Sequence, residues 1–202
     1  MVAVVAILVT LITAGVSLVS GTGAPSRKAG ADMLSAMIEQ ARTKAITSRS
    51  HVVLAIAEPG DLPSADEKCR IGIFTVDTWP DPATIPLALK GMLTSRWQTL
   101  HTGIVLIPGS VDGVPNPLDQ PEVNITYGGT KNLSIKVHVI AFNSRGSLAY
   151  PIGSTPVAIR IAEGGYRGSP KKPTPTRRGS EQVISETRLK IGRVTARLYQ
   201  ID

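Results

Sequence analysis

The sequence predicts an α+β fold: a long N-terminal helix, hydrophobic first and amphipathic later, packed on an antiparallel β-sheet. Three observations carry that expectation. The chain opens with an uncharged apolar run, a helical-period stripe follows it, and alternating β-branched segments recur from residue 51 onward. A length of 202 residues suits one domain with an appendage, large enough to bury a core. Aromatics are only 4% of the residues, so the expected core is aliphatic and the expected body is strand-rich rather than built around an aromatic-lined pocket.

The first element is the apolar run. Residues 1–26 contain no charged side chain, and Met1–Val19 read MVAVVAILVTLITAGVSLV. About 20 residues at ~1.5 Å rise span the ~30 Å hydrocarbon core of a bilayer. Residues 1–25 therefore read as a transmembrane or filament-core helix, with Val4, Ile7, Leu8, Leu11, Ile12 and Val16 as its apolar surface. Three readings compete: a retained anchor, a cleaved secretory signal and a buried core helix. A signal needs a basic n-region and a shorter apolar stretch. A core helix rarely presents apolar residues on every face. The retained anchor is favoured. The first cations, Arg27 and Lys28, follow the run, which alone places the body on the cytoplasmic side. A basic leader ahead of Met1 reverses that orientation.

The second element is amphipathic. Gly21, Gly23 and Pro25 predict a kink, with Ser26 capping a new helix over 26–50. Leu34, Ile38, Ala41 and Ala45 fall on one helical face and are expected to pack on the sheet, with small Ala side chains permitting close approach. The period then changes to that of a strand at His51–Ala57, stopped by Glu58, Pro59 and Gly60.

The segment Ala41-Arg-Thr-Lys-Ala-Ile-Thr47 followed by the strand Val52-Val53-Leu54 resembles type IV pilins and type II secretion pseudopilins, in particular minor pseudopilins of the GspH/FimT kind. Ile140, Phe142 and Gly146 resemble that family's "IxFxxxG" strand and turn, and Gly192-Arg193-Val194 its closing strand. The layout is also similar to the verrucomicrobial pseudopilin-like cassette protein D group. The chain departs from the family at its start, where no "FTLxEL" segment occurs and no acidic residue precedes Asp32. The resemblance implies a start upstream of Met1 bearing the basic leader. It further implies a structural subunit of a secretion or pilus-like filament, held in the inner membrane by a single pass with its domain in the periplasm or outside the cell. Its partners are then other pilin-like subunits and the inner-membrane assembly machinery.

Residues 51–202 form the expected β-rich head. Strands are predicted at 71–76, 103–108, 123–127, 133–142 and 157–162, with a closing strand or hairpin at 189–201. Residues 87–93 read as a short helical turn or connector, and 109–132 as a long surface excursion. Residues 163–185, rich in Gly, Pro, Lys and Arg, read as a mobile loop.

No catalytic pattern stands out. His51, His101 and His138 have no ligand spacing, and the single cysteine, Cys69, excludes an intrachain disulfide. Asp61, Asp66 and Glu67 read as a solvated acidic loop. No cofactor, metal or enzymatic role is expected. The net charge of +7 includes Lys171, Lys172, Arg177 and Arg178, which offer an alternative function as a membrane-anchored module binding DNA or another anionic partner. Nucleic acid is the disfavoured partner.

Overall fold

The computed structural model describes residues 23–62, 68–80, 87–128, 132–178 and 183–201. The fold is mainly β, which corrects the expected α+β arrangement of a long helix on one sheet. One α-helix, α1 (Gly23–Ser48), precedes fourteen strands among the described residues. Twelve of those strands form a closed barrel and a second sheet, and the remaining two pair with each other. The closure was not foreseeable from local pattern, because it depends on the first strand pairing with one distant in sequence as well as with the next.

The barrel is built from β1 (His51–Ala57), β2 (Arg70–Val76), β3 (Ala88–Leu93), β6 (Val123–Tyr127) and β7 (Leu133–Phe142). β1 is the closing strand. It pairs antiparallel with β2, Leu54 opposite Ile73, and with β7, Leu54 opposite Ile140. β3 joins β2 antiparallel and β6 in parallel, and β6 returns to β7. Two short strands, β4 (Gln98–Thr99) and β8 (Leu148–Tyr150), extend β2 and β7. β1 reads as a continuous apolar run because both its faces are covered. Val53 and Ala55 fill the barrel, while Val52, Leu54 and Ile56 face the helix layer. Phe74 anchors the barrel interior, with Trp97 at 5.6 Å and Tyr127 at 5.1 Å edge-on to it.

The second sheet centres on β9 (Val157–Arg167). β5 (Ile104–Ile107), β10 (Lys172–Pro175) and β13 (Glu186–Ile191) each pair antiparallel with it, and β14 (Leu198–Ile201) pairs with the outer side of β13. A two-stranded piece, β11 (Arg177–Arg178) with β12 (Val183–Ile184), brings Ile184 onto Val105, Ile107 and Ala162. Residues 163–185, expected as a mobile loop, therefore hold the end of β9 and β10 to β12. Gly164 makes this possible, since a Cβ there would lie 2.3 Å from the Thr174 carbonyl oxygen of β10.

Two further elements differ from expectation. Residues 88–93 are strand rather than helical turn. Gly91 permits this, because a Cβ there would lie 2.7 Å from the Thr75 carbonyl oxygen of β2. Helix α1 already includes Gly23 and Pro25, where a break was expected.

No helix among the described residues is long and apolar enough to cross a membrane. That finding overturns the expected single-pass inner-membrane location. The run assigned to it, with Val4, Ile7, Leu8, Leu11, Ile12 and Val16, lies outside the described residues.

Candidate functional site

Helix α1 lies between the N-terminal run and the head in the sequence, and its attachment to the head is built residue by residue. Leu34, Ile38, Ala41 and Ala45 are each 0% exposed and belong to the main core cluster. That cluster draws Val52 and Leu54 from the barrel, and Ile159, Ile161 and Leu189 from the second sheet. The helix is thus clamped between two β layers rather than laid on one. Burial of Leu34 and Ile38 alone is worth about 1.5–3 kcal/mol each. Gly30 lets Ile104 of β5 approach, with 3.2 Å left for a Cβ.

Polar contacts fix both ends. Arg27 forms an ion pair at 3.6 Å with Glu163 of β9 and donates a hydrogen bond to the Ser185 hydroxyl. Glu163 is only 7% exposed, so this pair has a firmer footing than a surface salt bridge. At the other end, Thr47 and Ser48 donate hydroxyl hydrogen bonds to the Lys44 carbonyl. Arg49 then turns the chain with φ 51° into β1. Ile46 packs where a Cβ on Gly146 would stand, 2.7 Å from its Cδ1. The opposite face of the helix, Asp32, Ala36, Gln40, Thr43 and Thr47, is exposed.

The cationic residues assigned to one loop are dispersed over strands. Lys172 lies on β10 opposite Arg167, Arg177 is exposed on β11, and Lys171 precedes β10. Arg178 falls on β11 by its backbone. Their setting is nonetheless strongly basic. From Val157 onward the chain carries ten Lys and Arg against four Asp and Glu, six of its seven net positive charges. Within that sheet Glu186 accepts hydrogen bonds from Arg160 at 2.9 Å and from Arg188 at 2.7 Å. Burial pushes the Glu186 carboxyl up, but the two guanidinium groups outweigh it and hold it below the usual carboxylate range.

Two other constellations have the look of sites. A cavity of about 320 Å³ is lined by Lys68, Cys69, His101 and Tyr166 at the junction of the two β layers. Burial pushes the Cys69 thiol up to about 12 and the Tyr166 phenol higher still, so neither is a nucleophile near neutral pH. The second is the turn after β1. Burial and the neighbouring Asp61 and Glu122 push the Glu58 carboxyl up to about 7, and burial raises Asp61 as well. Among the described residues no group of three or more His, Cys, Asp and Glu is placed to hold a metal ion. Asp66 and Glu67 lie outside those residues.

Sequence reasoning missed Asn116 and Glu163, whereas the closing hairpin expected over 189–201 is present as β13 and β14. Asn116 is 0% exposed and stitches three backbone groups, yet its neighbourhood reads as a polar surface excursion. Glu163 owes its role to Arg27, distant in sequence, so no local pattern marks it. Comparison of the chain with family models, curated proteins and solved structures finds no match.

Proposed function

We propose that this chain is a pilin-like structural subunit: a non-enzymatic β head on an N-terminal helical stem, assembling with like subunits through its apolar segment. One observation carries the reading. Helix α1 follows the uncharged apolar run of residues 1–19 in the sequence, and it is clamped between two β layers from Arg27 to Ala45. A load applied to the apolar segment is thereby transmitted to the whole head. Apolar surface of that extent associates in water, because its burial is favourable at about 25 cal/mol per Å².

The test uses the full chain with Leu8→Asp and Leu11→Asp. As detergent is diluted, the wild-type chain forms sedimenting assemblies. The double variant stays monomeric while keeping its far-UV circular dichroism and thermal transition. A wild-type chain that remains monomeric at tens of micromolar, or a variant that assembles equally well, overturns the proposal.

A second reading rests on the six net positive charges from Val157 onward: a head that binds an anionic polymer. Binding to an oligonucleotide should then weaken steeply with salt and weaken further on Lys172→Glu with Arg177→Glu. Binding that ignores both the salt and the charge reversal removes this reading.

A further inference from the structure

Two edge strands of the second sheet are unlike. β10 carries Pro173 and Pro175, which have no amide hydrogen to offer, and a lysine beside them. Proline and lysine on an edge strand discourage pairing with another chain. β14, by contrast, reads Leu198-Tyr199-Gln200-Ile201, without charge or proline. Among the described residues it pairs with β13 alone. Tyr199 on this strand is 54% exposed, although aromatic side chains are few in the chain.

The hydrogen-bond phase of β14 fixes which groups face outward. The Gly192 amide donates to the Arg197 carbonyl at 2.9 Å, and the register places Lys190 opposite Tyr199. Antiparallel pairs alternate between hydrogen-bonded and non-hydrogen-bonded. Lys190 and Tyr199 are therefore a hydrogen-bonded pair, and the N–H and C=O groups of Leu198 and Gln200 point away from the sheet. The geometry points to a second copy of this chain as the partner of that edge, pairing β14 antiparallel with β14 about a two-fold axis through Tyr199.

This register is the one that matches outward groups with outward groups while setting Tyr199 against its own mate. Leu198 meets Gln200 of the other copy, each such pair exchanging two backbone hydrogen bonds. Tyr199 meets Tyr199 in a non-hydrogen-bonded pair, where side chains stand closest and aromatic pairing is favourable. An isologous contact of this kind closes on itself and gives a dimer. Charge does not forbid it. Lys190 and its mate are separated by three strand spacings of about 4.8 Å, roughly 14 Å, beyond the ~8 Å screening length at physiological salt. Four residues per copy bury well under the ~800 Å² per partner of a stable complex, so the contact is weak and exchanging. It is independent of how the apolar segment is buried.

The experiment is disulfide trapping in the full chain. Cys69 is 1% exposed and supplies little background. Under mild oxidation Tyr199→Cys should form a symmetric dimer about tenfold faster than Thr174→Cys on the β10 edge, because pairing raises the local thiol concentration. Adding Gln200→Pro removes one outward amide and leaves the pairing with β13 intact, so trapping should fall to the Thr174→Cys rate. Equal rates for Tyr199→Cys and Thr174→Cys, or trapping that survives Gln200→Pro unchanged, overturn the inference. Circular dichroism of each variant confirms that the sheet is intact, and the sedimentation test of the apolar segment is unaffected by either result.

Discussion

Replacing Asn116 by Asp changes one group at the most constrained polar position of the head. The Asn116 side chain is 0% exposed. Its amide donates to the Ile107 carbonyl at 2.7 Å and the Gly109 carbonyl at 3.2 Å, and its oxygen accepts from the Leu118 amide at 3.0 Å. An aspartate keeps the acceptor and turns both donors into a second oxygen facing two carbonyl oxygens. Each buried group left without a partner costs about 1–3 kcal/mol, so two carbonyls cost about 2–6 kcal/mol. Ionisation inside the pocket is also disfavoured, which raises the new carboxyl above the ~3.9 of an unfolded aspartate. The native variant then holds its proton where the unfolded chain has released it. Its deficit relative to wild type is smallest below pH ~4 and grows as pH rises through the raised native value, by about 1.4 kcal/mol per unit of elevation. Urea titration at pH 4 and pH 8, followed by circular dichroism, reads both quantities. Asn116→Ala supplies the comparison, losing the same donors without a charge and so without the pH term. A variant within about 0.5 kcal/mol of wild type, or a deficit that is the same at both pH values, refutes the reasoning.

Three other outcomes are expected. Ile38→Ala should lose about 2–5 kcal/mol and Ala41→Leu about 1–3 kcal/mol in the same titration, since one opens a cavity between the β layers and the other overfills it. Glu58 should make stability fall as pH rises from about 4.5 to about 7, because the folded head holds a proton the unfolded chain has lost. Glu58→Gln should flatten that slope and stabilise the protein at pH 8 by about 1 kcal/mol, discounted for the half-buried side chain. Cys69 should resist iodoacetamide at pH 8 in the native protein and react promptly in urea, as mass spectrometry would show.

The strands legible in the sequence are those whose alternation survives burial on one face, such as Leu133–Phe142, where Ile135, Val137 and Val139 point inward between exposed Lys136 and half-buried His138. The stripe of α1 was legible for the same reason, at a period of 3.6. Barrel closure was not, because nothing near Val52 announces that it must meet both Thr75 and Phe142. Residues 88–93 were misread because Ala, Leu, Lys and Met favour helix, and only the backbone of Thr75 requires Gly91 and a strand. β10 was hidden by the prolines that protect it. The cations from Lys171 to Arg178 were legible as charge but not as strand. The attachment of the helix ends was invisible, since Arg27 finds Glu163 only once both β layers exist.

Because β1 closes the barrel and α1 is held by β9 and β13, the earliest-made parts of the head are completed by the latest. On the ribosome, Val52 emerges long before Phe142, and Arg27 long before Glu163. Until then the newborn helix and first strand present bare apolar flanks to the cytosol, in the same stretch of chain as an apolar leading segment. Folding by topology of this kind is slow and open to misassociation. A premature stop anywhere before β13 leaves the nascent product without a lid, and a cell making this protein has reason to keep a chaperone on its first fifty residues.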